Sequence, residues 1–128
     1  MINHVTRGIK ISVKVFFDGS YFKNYILNYS FSYTISIVNQ SKNSVQLKSR
    51  HWRIFDSLNT DIIIDGKGVI GEKPIIKPGD SHVYSSGCLI TSTFGAMRGF
   101  YNMIDINTGI KFRAYIPTFK LNSLQALN

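Results

Sequence analysis

Apolar and polar residues alternate along most of this chain. The clearest case is Tyr29 to Asn39: Tyr29, Phe31, Tyr33, Ile35 and Ile37 share one parity, and Ser30, Ser32, Thr34 and Ser36 the other. A helix would spread those apolar side chains round its circumference, whereas a strand gathers them on one face. Gly8 to Asp18 repeats the pattern, with Ile9, Ile11, Val13, Val15 and Phe17 opposite Lys10, Ser12 and Lys14. Asp18-Gly19-Ser20 is expected to end that strand, and residues 20–27 to form a connecting loop. Val45 to Asp56 is strand-like but changes phase, since Val45 and Leu47 lie on one parity and Trp52 and Ile54 on the other. A one-residue bulge near Lys48 to His51 would return both halves to one face. Ile62-Ile63-Ile64 predicts a short strand, and Ser81 to Ser86 a mostly polar one. Met97 to Ile106 and Ile110 to Ile116 predict a hairpin across Asn107-Thr108-Gly109, ended by Pro117. The tail after Phe119 is expected to hold at most a turn or two.

About seven strands, with turn residues between them and no helical period, predict an all-β fold. The architecture expected is an antiparallel β-sandwich; a small closed barrel is the structural alternative. At 128 residues the chain reads as a single domain, 1–128, long enough to bury a core without a disulfide or a metal.

The stretch that decides between classes of function is Asp65-Gly66-Lys67-Gly68-Val69-Ile70-Gly71-Glu72-Lys73-Pro74. Gly66 to Gly71 matches G-x-G-x-x-G, but the dinucleotide-binding use of that motif needs a helix directly behind it. Pro74 and Pro78 follow instead, with no helical periodicity. A phosphate-binding P-loop is excluded too, because Glu72 stands where lysine is required. Two readings remain. One is a glycine-rich connection between strands with glycines at positive φ. The other is an anion nest in which backbone N–H groups, with Lys67 or Lys73, hold a phosphate through Gly66, Gly68 and Gly71.

Net charge is +8, which invites a nucleic-acid reading. The basic residues are scattered, however, and the densest group is only Lys48, Arg50 and Arg53. A solvated basic surface with no nucleic-acid site is therefore the expectation. No membrane span and no signal peptide are expected, since no long apolar run is present, and the lone Cys88 fits a reducing compartment; both point to the cytosol. His4, His51 and His82 have no metal-ligand spacing, and no acid–base pair or nucleophile elbow is visible. Cys88 reads as buried and inert, and Trp52 as core. The chain is expected to be no enzyme and to need no cofactor.

Several segments together resemble one family. His51-Trp52-Arg53-Ile54-Phe55-Asp56 resembles the H-W-x-I-x-D signature of ApaG proteins, also called CorD. Gly66 to Pro74 is similar to that family's G-x-G-V-V-G-x-x-P. Pro78-Gly79, Tyr84-Ser85-Ser86-Gly87-Cys88 and Gly95-Ala96-Met97-Arg98-Gly99-Phe100-Tyr101-Asn102-Met103 continue it in order, and Phe112 to Phe119 resembles its closing F-x-V-x-I-P-x-F. Lys67 departs from the pattern where an acid is frequent, and Thr91-Ser92-Thr93 lacks a frequent proline. The resemblance implies a fibronectin type III-like sandwich and no established catalytic activity. It implies signature roles for His51, Trp52, Asp56, Pro74, Gly87, Cys88 and Gly99. It also implies a family-level link to cobalt resistance and magnesium efflux, a protein partner, and pyrophosphate or nucleotide binding by the glycine run. Exposed Tyr21, Phe22 and Tyr25 are the expected contact patch, and an unpaired strand edge would allow a homodimer.

Overall fold

The computed structural model describes residues 1–123. Nine strands form two antiparallel sheets packed as a sandwich. The first sheet holds β1 (Ile2–Thr6), β2 (Ile9–Lys23), β3 (Ile26–Asn39) and β7 (Ser81–Ile90), in that order. The second runs β5 (Ile62–Lys67), β4 (Val45–Asp56), β8 (Phe94–Asp105), β9 (Lys111–Asn122), with the two-residue β6 (Ile75–Ile76) also paired to β4. Without β1 and β6 this is the expected fibronectin type III-like arrangement of seven strands. β1 adds an edge strand to the first sheet, and no helix among the described residues is long and apolar enough to cross a membrane.

The alternating residues do what their periodicity demands. Ile9, Ile11 and Val13 of β2 and Phe31, Tyr33, Ile35 and Ile37 of β3 are buried against Leu47, Trp52, Ile54, Met97, Tyr101 and Phe119 of the other sheet. The phase change in β4 is a bulge at Lys48, because Leu47 pairs with Met103 and Ser49 with Asn102. Asn39, at the end of β3, is buried: its amide donates to the carbonyls of Asn43 (2.8 Å) and Ile76 (2.9 Å), and its Oδ1 accepts from Ser41. Those bonds fasten β6 and the β3–β4 connection.

Several predicted boundaries move. Asp18-Gly19-Ser20 does not end β2; Phe17 pairs with Phe31 and Gly19 with Ser30, so Asp18 is a bulge residue and the strand runs on to Lys23. Residues 20–27 are therefore no loop but the two arms of a ribbon. Its turn, Asn24-Tyr25, has φ of 51° and 64°, the doubly left-handed geometry that matches strand twist in a two-residue hairpin. Pro117 does not end β9. It sits where Pro117 and Thr118 oppose only Arg98, a bulge that tolerates a residue without an N–H. That bulge moves the buried parity from Ala114 and Ile116 to Phe119 and Leu121. The polar strand likewise extends past Ser86 to Ile90, and the strand expected from Met97 begins at Phe94. The tail is strand as far as Asn122, and its last residues, 124–128, lie outside the described ones.

Candidate functional site

The glycine run is a hairpin of its own. Val69 and Glu72 exchange N–H···O bonds of 2.8 and 3.0 Å across Ile70 and Gly71, whose φ values are 48° and 75°. A left-handed isoleucine was not foreseen, and Ile70 is exposed at the tip. Gly68, at φ 59°, turns the chain from β5 into this hairpin. Its N–H donates 2.9 Å to the carbonyl of Lys48, the bulge residue of β4. The bulge and the run are thus one unit. Gly66 is not a turn residue; it stays in β5, and a Cβ there would stand 2.6 Å from the Arg50 guanidinium. Arg50 uses that space to donate to the carbonyls of Lys67 (3.0 Å) and Gly68 (2.8 Å). Lys73 is tied in through its carbonyl, which accepts from the Gln46 amide, and the Pro74 carbonyl accepts from Leu47 N–H (3.1 Å). The N–H groups of Gly68, Val69 and Glu72 are therefore already donating within the fold.

The signature strand divides its residues between two faces. Trp52 points inward, 3% exposed, with its ring 5.6 Å from Tyr33 and 6.0 Å edge-on to Phe119. His51 points outward: its Nδ1 lies 2.5 Å from Asp65 Oδ1, and its ring stacks on Phe100 at 4.8 Å. Arg113 lies over that same ring at 4.3 Å, and Tyr115 meets it edge-on. Asp56 ends the strand, 4% exposed. Its Oδ1 accepts from Ser92 (2.5 Å) and from Leu58 N–H (3.3 Å), and its Oδ2 from Thr91 N–H (2.7 Å), the Thr91 hydroxyl and the Asn59 amide. Burial raises this carboxyl's pKa, but the hydrogen bonds from Ser92, Thr91 and Leu58 outweigh it and hold the value at about 2. Asp56 is the clasp between the β4–β5 turn and the β7–β8 connection.

Gly87 and Gly99 make room for neighbouring backbone: a Cβ would come within 3.0 Å of the Phe31 carbonyl oxygen and 2.0 Å of the His51 carbonyl oxygen, respectively. Cys88 is half-buried, and desolvation pushes its thiol up to about 11, which keeps it in the unreactive thiol form near neutrality. Close by, the hydroxyls of Tyr84 and Tyr101 are hydrogen-bonded to each other. Burial raises the pKa of both. Among the described residues no three His, Cys, Asp or Glu side chains converge as a metal site would require.

The outer face of the second sheet is a different surface, missed in the sequence. Shallow depressions of about 450 Å³, about 340 Å³ and about 240 Å³ lie along β4, β8 and β9. Lys48, Lys111 and Arg113 line the first, and Arg53 and Arg98 line both others.

Comparison with known proteins settles the family. The model of the ApaG domain matches residues 20–105. This chain belongs to the ApaG family. It is 42% identical to Protein ApaG of Methylorubrum extorquens over 118 residues, which is 92% of this chain and 90% of that one. It is 43% identical to Protein ApaG of Brucella anthropi over 122 residues, 95% and 93% of the two chains. Among solved structures it is similar to the structural-genomics target SoR45, with TM-score 0.84 and 35% identity over 90% of this chain and 86% of that one. It is also similar to a Bordetella pertussis protein described as ApaA, with TM-score 0.78 and 32% identity over 89% and 92%. The ApaG-domain match opens at Ser20, inside the ribbon, and closes at Asp105, at the end of β8.

Proposed function

We propose that this ApaG-family chain is a non-enzymatic binding module of the cytosol that makes a protein–protein contact through its β2–β3 ribbon. One observation carries the reading. Residues 20–28 pair only across the ribbon, beyond the reach of β7, and present Tyr21, Phe22 (75% exposed), Tyr25 and Ile26 to solvent. A two-stranded ribbon with no third strand is marginal by itself, and exposed aromatics on one are characteristic interface anchors. The family-level link to cobalt resistance and magnesium efflux would then act through the partner.

The test is an affinity capture compared between the native chain and a Phe22→Ser, Tyr25→Ser double variant. Both side chains are exposed, so the melting temperature should change by no more than a few degrees. A partner retained by the native chain and lost by at least tenfold in the variant is expected. Equal recovery by both overturns the ribbon as the contact.

The second reading, an anion at the glycine run, has Lys67 and Lys73 as its charged donors. Calorimetry with pyrophosphate and diadenosine tetraphosphate distinguishes it. Micromolar binding abolished by Lys67→Ala, Lys73→Ala would favour this reading over the first, and hydrolysis of the nucleotide would point to an enzyme.

A further inference from the structure

We propose that the outer face of the five-stranded sheet binds single-stranded RNA. Of the five arginines in the chain, Arg50 is committed to the glycine run and Arg7 lies in the β1–β2 turn, off this sheet. The other three, Arg53, Arg98 and Arg113, come from three adjacent strands and line one continuous surface. A bias of composition towards lysine does not gather arginines.

The register shows how that surface is arranged. Arg53 pairs directly with Arg98; the next outward row is His51, Phe100 and Tyr115; the one after is Ser49, Asn102 and Arg113. Successive rows lie about 7 Å apart along the strands. Like charges directly opposite each other cost stability. Here the nearest compensation is weak: Asp61 is 3.7 Å from Arg53, and no acid lies within ion-pair distance of Arg98 among the described residues. The opposite face of the sandwich carries Lys10 and Lys14 on β2 but is uncharged at its centre, where β3 and β7 supply Ser32, Thr34, Ser36 and Ser85.

Charge complementarity selects a polyanion, and the aromatic row selects one with planar groups. Tyr115 is exposed enough to take a base on its ring, while Arg53, Arg98 and Arg113 are spaced to meet phosphates on either side of it. An acidic polypeptide would satisfy the arginines but leave Tyr115 without a role. Ser49 and Asn102, hydrogen-bonded to each other at 2.8 Å, add hydroxyl and amide groups suited to a ribose 2′-hydroxyl, which favours RNA over DNA.

The experiment is fluorescence anisotropy of the full chain with a labelled 12-nucleotide single-stranded RNA at 50 to 200 mM salt. Micromolar binding that weakens with salt is expected. Arg53→Ala, Arg98→Ala, Arg113→Ala should weaken it at least tenfold and flatten the log–log salt slope by about 2. Tyr115→Ala should weaken it about tenfold with the slope unchanged. Lys10→Ala, Lys14→Ala, Lys23→Ala removes the same charge from β2 and should change affinity less than twofold. Equal losses from the two triple variants, or no binding at 50 mM salt, overturn the proposal. So does an unchanged affinity in Tyr115→Ala with displacement by polyglutamate, which would mark an acidic protein surface. Equal affinity for DNA of the same sequence overturns the assignment to RNA.

Discussion

Gly68→Ala is expected to destabilise the fold by about 2–5 kcal/mol, lowering the melting temperature by roughly 10–20 °C. Two costs add at this position. A left-handed backbone at φ 59° costs a residue with a Cβ about 1–2 kcal/mol. That Cβ would also stand 1.9 Å from the Glu72 carbonyl oxygen, the acceptor that closes the hairpin to Val69. Main chain cannot yield there without breaking the Val69–Glu72 exchange or the Gly68 bond to Lys48, and overpacking of this kind costs about 1–3 kcal/mol more. Gly71→Ala separates the two terms: its φ is 75°, yet a Cβ there meets nothing within 4 Å. It should lose only about 1 kcal/mol. Urea denaturation of both variants checks this, and equal losses would show that the close approach at Gly68 contributes nothing. These effects are expected with or without ligand, because both costs lie in the fold of the run.

That the run is a turn could be read from the sequence, since Pro74 and Pro78 deny it a following helix. That Gly66 serves Arg50 rather than the turn could not, because it depends on a side chain from a strand paired across the sheet. The same division holds elsewhere. The alternation of β3 and the parity break of β4 are local, and the sandwich and the Lys48 bulge follow from them. Asp18-Gly19-Ser20 has the composition of a turn, and only pairing with β3 makes it a bulge inside a longer strand. Pro117 is the same kind of case. The arginine face was hidden by periodicity itself: Arg53, Arg98 and Arg113 are far apart in sequence, and alternation places an apolar core residue beside each. Only the register of β4, β8 and β9 brings them to one surface. Family resemblance marked His51, Trp52 and Asp56 as a unit, yet they separate into an outer-face residue, a core residue and a turn clasp. Spacing along one strand fixes that His51 and Trp52 face opposite ways, but not what each meets.

Asp56→Ala should cost about 3–5 kcal/mol at neutral pH, because it strands the N–H groups of Thr91 and Leu58 and leaves the buried Ser92 hydroxyl with only the Phe94 carbonyl. The acid dependence gives a sharper check. In the unfolded chain this carboxyl titrates near 3.8, and in the fold at about 2. Because the folded value is the lower one, its contribution to stability is full above about pH 4 and is lost as pH falls towards 2. The difference corresponds to about 2 kcal/mol. Asp56→Asn has no proton to take up, so it should show a constant deficit above pH 4 and a shrinking one below. Urea midpoints of the two proteins at pH 7, 4 and 2.5 measure that gap directly. The other carboxylates, including Asp105, whose pKa is also lowered in the fold, are common to both chains and cancel in the comparison. A gap that stays the same at pH 2.5 would mean that the charge on Asp56 is not what holds the β4–β5 turn to the β7–β8 connection, and that shape alone closes that end of the sandwich.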